Sequence, residues 1–319
     1  MRTTTASPNV DAFDHRLVVR YTIITTVVGL AIMAAPALIG QPSEAGALVM
    51  TYGLLLGGSV LTARRAGPGG IRLLFSGLLR WRIGWANAAV VVGAVPLATI
   101  GVAAVTGTYV APEGGWLPVI GSYLFSTLVF GALLLNLWEE TGWQGMVQRH
   151  FMGRHGLVKG SLLTAVPFAI VHIPLQIRGT SGMREALVNV GVLFLMAPAA
   201  RYLVGRTDYA TGGSLLAVGV LHASWNASGQ LSVVDGDLQY VIGLVLVAVV
   251  GPGRRRGAVP VWLGRALRPS RPASGVYGGR QLTCTAGGER SAAARLEPPA
   301  VSSAPRLRCF GVPVRQAVP

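Results

Sequence analysis

Val119 to Trp138, VIGSYLFSTLVFGALLLNLW, runs without a charged residue straight into Glu139-Glu140-Thr141-Gly142-Trp143-Gln144-Gly145. An apolar run of this length, at about 1.5 Å per helical residue, reaches across a hydrocarbon core roughly 30 Å thick. The acidic pair at its end is therefore expected at membrane depth. There each charge costs roughly 2.5–3.5 kcal/mol on insertion scales, and ionisable groups so placed are as a rule functional. Adjacent residues on a helix lie about 100° apart around its axis, so Glu139 and Glu140 cannot share a role. One is free to face a cavity while the other pairs or orients.

The whole chain agrees with a membrane setting. Of 319 residues 51% are hydrophobic and 12% charged, with mean hydropathy +0.54, where a soluble domain carries nearer 25% charged residues. The net charge of +15 does not point to nucleic acid, because +10 of it comes from the 12 Arg and 2 Glu that follow Gly253. The remaining basic residues sit between apolar runs, as topology signals do. Both cysteines, Cys284 and Cys309, lie in that basic tail and imply no disulfide framework.

The expected fold is all-α, a polytopic bundle of eight transmembrane spans with both ends cytoplasmic. Residues 1–16 are a polar N-terminal segment, 17–251 the membrane domain and 252–319 a basic, disordered tail rich in Pro, Gly and Ser. Apolar runs cover Leu17–Gly40, Ala45–Ala63, Trp85–Gly107, Val119–Val147, Leu157–Ile177, Ala186–Val204, Gly213–Gly229 and Leu238–Gly251. An Ala-x-Ala triplet at Ala35–Ala37 would suit signal cleavage, but the run around it is of spanning length. Leu73, Leu74, Leu78 and Leu79 among five arginines read as an amphipathic interfacial helix over 64–84. Basic residues cluster on one side, with Arg201 and Arg206 counted among them, against only Arg178 and Arg184 on the other; this places both ends in the cytoplasm. Arg254–Arg256 would meet anionic lipid headgroups.

Three later runs carry strongly polar side chains. Measured by helical rise from the nearest cytoplasmic edge, Glu139, His172 and His222 all fall about 15–20 Å deep. His222 and Asn226 share a helix face at i,i+4, as do Phe168 and His172, so Phe168 can wall a pocket beside an imidazole. Gly142 and Gly145 form a small-residue surface for a neighbouring helix. His150 and His155 read as solvated residues of a basic loop, Asn189 as a helix contact, and Trp138, Trp143 and Trp225 as packing or interfacial residues.

These islands resemble the motifs of the CPBP intramembrane proteases, the CAAX-protease and bacteriocin-processing (Abi) family. The family's EExxxR, FxxxH and HxxxN/D are matched by Glu139-Glu140-Thr-Gly-Trp-Gln144, Phe168-Ala-Ile-Val-His172 and His222-Ala-Ser-Trp-Asn226, within residues 118–230. Where the family has Arg, this chain has Gln144. The resemblance implies an intramembrane endopeptidase: Glu139 as general base, His172 helping to place water, His222 and Asn226 donating to the oxyanion, and Glu140, Gln144 and Phe168 in support. It leaves two mechanisms open, a metal-free glutamate one and a zinc one with His172, His222 and Glu139 as ligands. The implied partners are membrane lipid and a peptide or membrane-protein substrate, in the plasma membrane of a bacterial cell. Two rival readings use the same residues: a proton- or substrate-coupled transporter, and a non-catalytic bacteriocin-immunity protein that keeps the fold.

Overall fold

The computed structural model describes residues 13–236 and 238–250. The basic tail, Cys284, Cys309 and most of the polar N-terminal segment lie outside them. The described residues form helices in this order: α1 (His15–Leu38), α2 (Glu44–Arg65), α3 (Pro68–Leu74), α4 (Trp85–Thr106), α5 (116–148), α6 (Arg149–Ile177), α7 (Met183–Ala210), α8 (Leu215–Ser228) and α9 (Leu238–Val250). Among the described residues the only β pairing is an isolated bridge between Tyr109 and Val234. The all-helical expectation holds.

Local chemistry explains the helix ends. Asp14 caps α1, its Oδ1 accepting from the backbone N–H groups of Arg16 at 2.7 Å and Leu17 at 3.3 Å. Ser214 caps α8 by accepting from the Ala217 N–H, and its own hydroxyl donates to the Arg80 carbonyl. The interfacial helix expected over 64–84 is shorter than its leucine spacing suggests. After Arg65, where α2 ends, only Pro68–Leu74 of this segment is helical; beyond it the backbone turns, and the Gly77 carbonyl accepts from the Leu215 N–H at 3.1 Å. That segment is tied to the start of α8 instead of continuing as a helix, although Leu79 and Trp81 remain exposed.

Five helical stretches are long and apolar enough to cross a membrane: His15–Leu38, Glu44–Arg65, Trp85–Thr106, Trp116–Ile177 and Met183–Ala210. The fourth has 62 residues, about 90 Å if straight, so it cannot be one crossing. Gly156 divides it. Its φ of 79° is left-handed, a conformation glycine adopts without Cβ strain, and helix resumes on its far side. α8 and α9, with 14 and 13 residues, are about 20 Å long and shorter than the hydrocarbon core.

Outward faces are apolar. Val27, Leu38, Leu97, Phe130, Leu133 and Leu195 are all exposed, as a lipid-facing surface requires. Inside, α6 packs on α7 and α1, while α8 packs on α5 and α4. Lipid tails are as apolar as leucine, so close approach through small residues does much of the holding. Gly142 is such a point: a Cβ there would lie 2.7 Å from the Leu55 carbonyl oxygen and 2.8 Å from the Tyr21 hydroxyl. That hydroxyl itself donates to the Leu55 carbonyl at 3.0 Å, so α1, α2 and α5 meet at one spot. Gly142→Val is expected to lower stability by about 1–3 kcal/mol through overpacking, read as a fall in the thermal unfolding midpoint of the detergent-purified protein.

α5 departs from regular α-helix where the site begins. Residues Ser126–Asn136 and Thr141–Gln148 are π-helical, with one α-helical stretch, Leu137–Glu140, between them. Such widened turns recur at functional sites. Here they flank the acidic pair.

Candidate active site

The two glutamates go to different places, as their angular separation requires. Glu139 points to α6, with its Oε1 3.8 Å from His172 Nε2. Its other oxygen accepts from Asn136 Nδ2 at 3.3 Å, one turn back on α5. His172 Nδ1 lies 2.7 Å from the Phe168 carbonyl. A carbonyl only accepts, so Nδ1 carries a proton; in the neutral ring Nε2 then has the lone pair, and it is this atom that lies on the glutamate side. This pair is the more open one, with side chains 22% exposed for His172 and 12% for Glu139.

Glu140 is sealed. Its Oε1 receives His222 Nδ1 from α8 at 2.8 Å and Arg201 Nη1 from α7 at 2.7 Å. Both the carboxylate and the guanidinium are 0% exposed. Gln148 fixes the arginine from two sides: its Oε1 accepts from Arg201 Nε at 2.7 Å, and its Nε2 donates to the Arg201 carbonyl at 2.6 Å. The same Nε2 also reaches Ser161 Oγ at 3.1 Å.

Phe168 joins the two halves. Its ring lies 4.3 Å from the His172 ring and 6.1 Å from the His222 ring, centroid to centroid. Arg201 Cζ sits 5.3 Å from the same ring centroid, a cation–π placement. Trp143 meets Phe168 edge-on at 5.8 Å. Trp225 stacks on His222 at 4.2 Å and sets the plane of that imidazole. Trp143 and Trp225 are thus buried packing residues, as expected.

Glu139, Glu140, Phe168, His172 and His222 are therefore brought together from α5, α6 and α8. Asn226 follows His222 by one turn of α8; its side chain is exposed while the imidazole is buried. Gln144 is buried on α5 with neither amide atom hydrogen-bonded among the described residues. Among the described residues no three His, Cys, Asp or Glu side chains are arranged to hold a metal ion. His172 and His222 each hold Nδ1 on a second partner, the Phe168 carbonyl and Glu140, and keep Nε2 free, an arrangement that metal-ligating histidines also have.

Segment 121–228 holds the glutamate pair and both imidazoles at these distances. Residues 121–228 match the Rce1-like family, type II CAAX prenyl endopeptidases. The match spans all three motifs and is to the intramembrane-protease family they resemble. No curated protein matches the chain.

Within the Rce1-like segment, two expectations need correcting. Arg201 is not a solvated loop charge: it is fully buried against Glu140, so pairing accounts for its charge without any topology signal. His150 is not solvated; it is 6% exposed, and its Nε2 lies 2.9 Å from His15 Nδ1 on α1. His155 is exposed, as read from the sequence. Asn189 makes the expected helix contact, donating to the Gln176 carbonyl at 3.2 Å. Sequence reasoning passed over Asn136, Gln148 and Arg201. An arginine inside an otherwise apolar run, opposite a motif lacking its own arginine, was the available signal for the last.

Proposed function

We propose that this membrane protein is an endopeptidase that hydrolyses peptide bonds at membrane depth by water activation, without a covalent intermediate. The observation that carries the reading is the approach of Glu139 Oε1 to His172 Nε2, 3.8 Å apart; with the imidazole neutral and Nδ1–H on the Phe168 carbonyl, both atoms present lone pairs. A water molecule between them can give one O–H to each acceptor, leaving its own lone pair free for a substrate carbonyl. Asn136 holds the second Glu139 oxygen, so the carboxylate keeps its aim.

Attack forms the new C–O bond as Glu139 takes the water proton. The tetrahedral oxyanion is met by His222 and Asn226. His222 Nδ1 is held by Glu140, so donation from Nε2 requires the doubly protonated ring, whose charge Glu140 offsets. Asn226, exposed beside it, is open to an incoming chain. Collapse then breaks the C–N bond while Glu139 returns its proton to the departing amine. The substrate is a peptide or membrane-protein segment brought to that depth. With α8 and α9 as short crossings and the Trp116–Ile177 stretch divided at Gly156 within α6, the eight-span arrangement with both ends in the cytoplasm is the topology we propose.

The test is cleavage of a tethered peptide library by the purified protein. Asn226→Ala is expected to lower kcat by about 10²–10³-fold, the effect of one oxyanion donor, whereas chelator treatment leaves kcat unchanged. A transporter would tolerate Asn226→Ala and show ion flux. Chelator-sensitive cleavage restored by zinc would replace the glutamate mechanism with a metal one.

A further inference from the structure

The family motif places an arginine four residues after the second glutamate, and this chain has Gln144 there. Gln144 touches no polar partner among the described residues, yet Glu140 is not left without a cation. Arg201, from a different helix, donates to it at 2.7 Å with both groups fully buried. We infer that Arg201 is the positioning residue that fixes Glu140, and through it the His222 imidazole, in the office of the arginine missing from the first motif.

Three features set this ion pair apart from an incidental one. Gln148 binds the arginine at both side chain and backbone carbonyl, which selects one rotamer of a flexible side chain. Gly205, one turn further along α7, makes room for that clamp: a Cβ there would lie 2.7 Å from Gln148 Nε2. The guanidinium also faces Phe168, the ring lying against His172, so one cation touches the first and second motifs and reaches the third through the Glu140 oxygen that holds His222. Charge balance completes the case. With Glu139 and Glu140 ionised and His222 doubly protonated, Arg201 brings the four groups to zero net charge, the state least costly inside a membrane. Without it they carry one uncompensated negative charge, and the Glu140 carboxylate has only the imidazole to hold it.

The inference rests on the endopeptidase reading for its effect on rate, but not for its effect on His222. The experiment therefore has two readouts on the full chain in lipid nanodiscs: kcat and KM on the tethered peptide, and the His222 ring-nitrogen NMR signals. Arg201→Ala is expected to lower kcat about 100-fold with KM within about threefold and to shift the His222 signals. Adding Gln144→Arg to Arg201→Ala returns the cation to the Glu140 helix at i+4. It should restore the His222 signals and bring kcat to within about tenfold of the starting protein. A merely structural role for Arg201 predicts no such rescue. Should Arg201→Ala not fold, Arg201→Lys keeps the charge but loses the fork that meets both Glu140 and Gln148, with kcat expected to fall about tenfold.

Unchanged kcat and unchanged His222 signals in the folded Arg201 variants would overturn the inference, as would a folded double variant without recovery. If the unaltered protein cleaves nothing while the His222 signals still shift and recover, the endopeptidase reading fails and the assignment of Arg201 stands.

Discussion

Glu139→Gln lowers kcat by about 10²–10⁴-fold, the range for losing a positioned general base, with KM within about threefold and the unfolding midpoint unchanged. The amide has the same shape as the carboxylate, and its oxygen can still accept from Asn136, which now donates to Glu139 Oε2 at 3.3 Å. Packing around the partly open side chain is preserved. What disappears is the proton acceptor facing His172 Nε2 at 3.8 Å. A change confined to kcat marks an interaction made in the transition state and not in substrate binding. Steady-state cleavage of the tethered peptide, with thermal unfolding of the same preparations, checks both halves of this expectation. A non-catalytic immunity protein would keep its function in this variant.

Glu140→Ala acts differently, because its partner is a buried cation. Arg201, 0% exposed in the unaltered protein, would keep Gln148 and the Phe168 ring but no counter-charge, and removing one member of a buried pair costs about 3–5 kcal/mol through the uncompensated charge left behind. The unfolding midpoint of the purified protein should therefore fall steeply, far more than for Glu139→Gln. Combining Glu140→Ala with Arg201→Met removes the stranded charge and is expected to recover most of the stability, since apolar replacement of a whole buried pair is often neutral or better. Activity should not return with it. His222 would have lost the carboxylate that holds its Nδ1 at 2.8 Å. Stability restored without activity separates the structural contribution of this pair from its catalytic one.

The sequence made the acidic and imidazole groups legible because they are costly where they stand. A carboxylate after twenty uncharged residues, and single histidines inside later apolar runs, carry their own signal. Angular spacing on a helix was enough to say that Glu139 and Glu140 divide their work, and their separate contacts follow that division. Arg201 was harder to place. It lies near the end of an apolar run with Arg206 five residues later, and from spacing alone the two look like one cytoplasmic cluster. Only the packing of α7 on α6 and α5 brings Arg201 to Glu140 while Arg206 turns to the Ala248 carbonyl on α9.

The same limit applies to His150, whose burial depends on His15, 135 residues away. Non-local partners of this kind leave no trace in local periodicity. The 64–84 segment failed for another reason. Its leucines have helical spacing, but the serine–glycine pair at 76–77 turns the chain, and a tie to Leu215 holds it there. The division at Gly156 falls in the gap between the apolar runs that end at Val147 and begin at Leu157, a gap marked in the sequence by Arg149 and Arg154.

The most direct test of the account is a double-mutant cycle on kcat for Glu139→Gln and His172→Ala, measured with the tethered peptide. Residues that place one water as a unit are strongly non-additive, so the double variant is expected to lose about as much rate as the worse single variant. Losses that multiply independently, or a double variant with the rate of the unaltered protein, would contradict the claim that this acid and this imidazole act together.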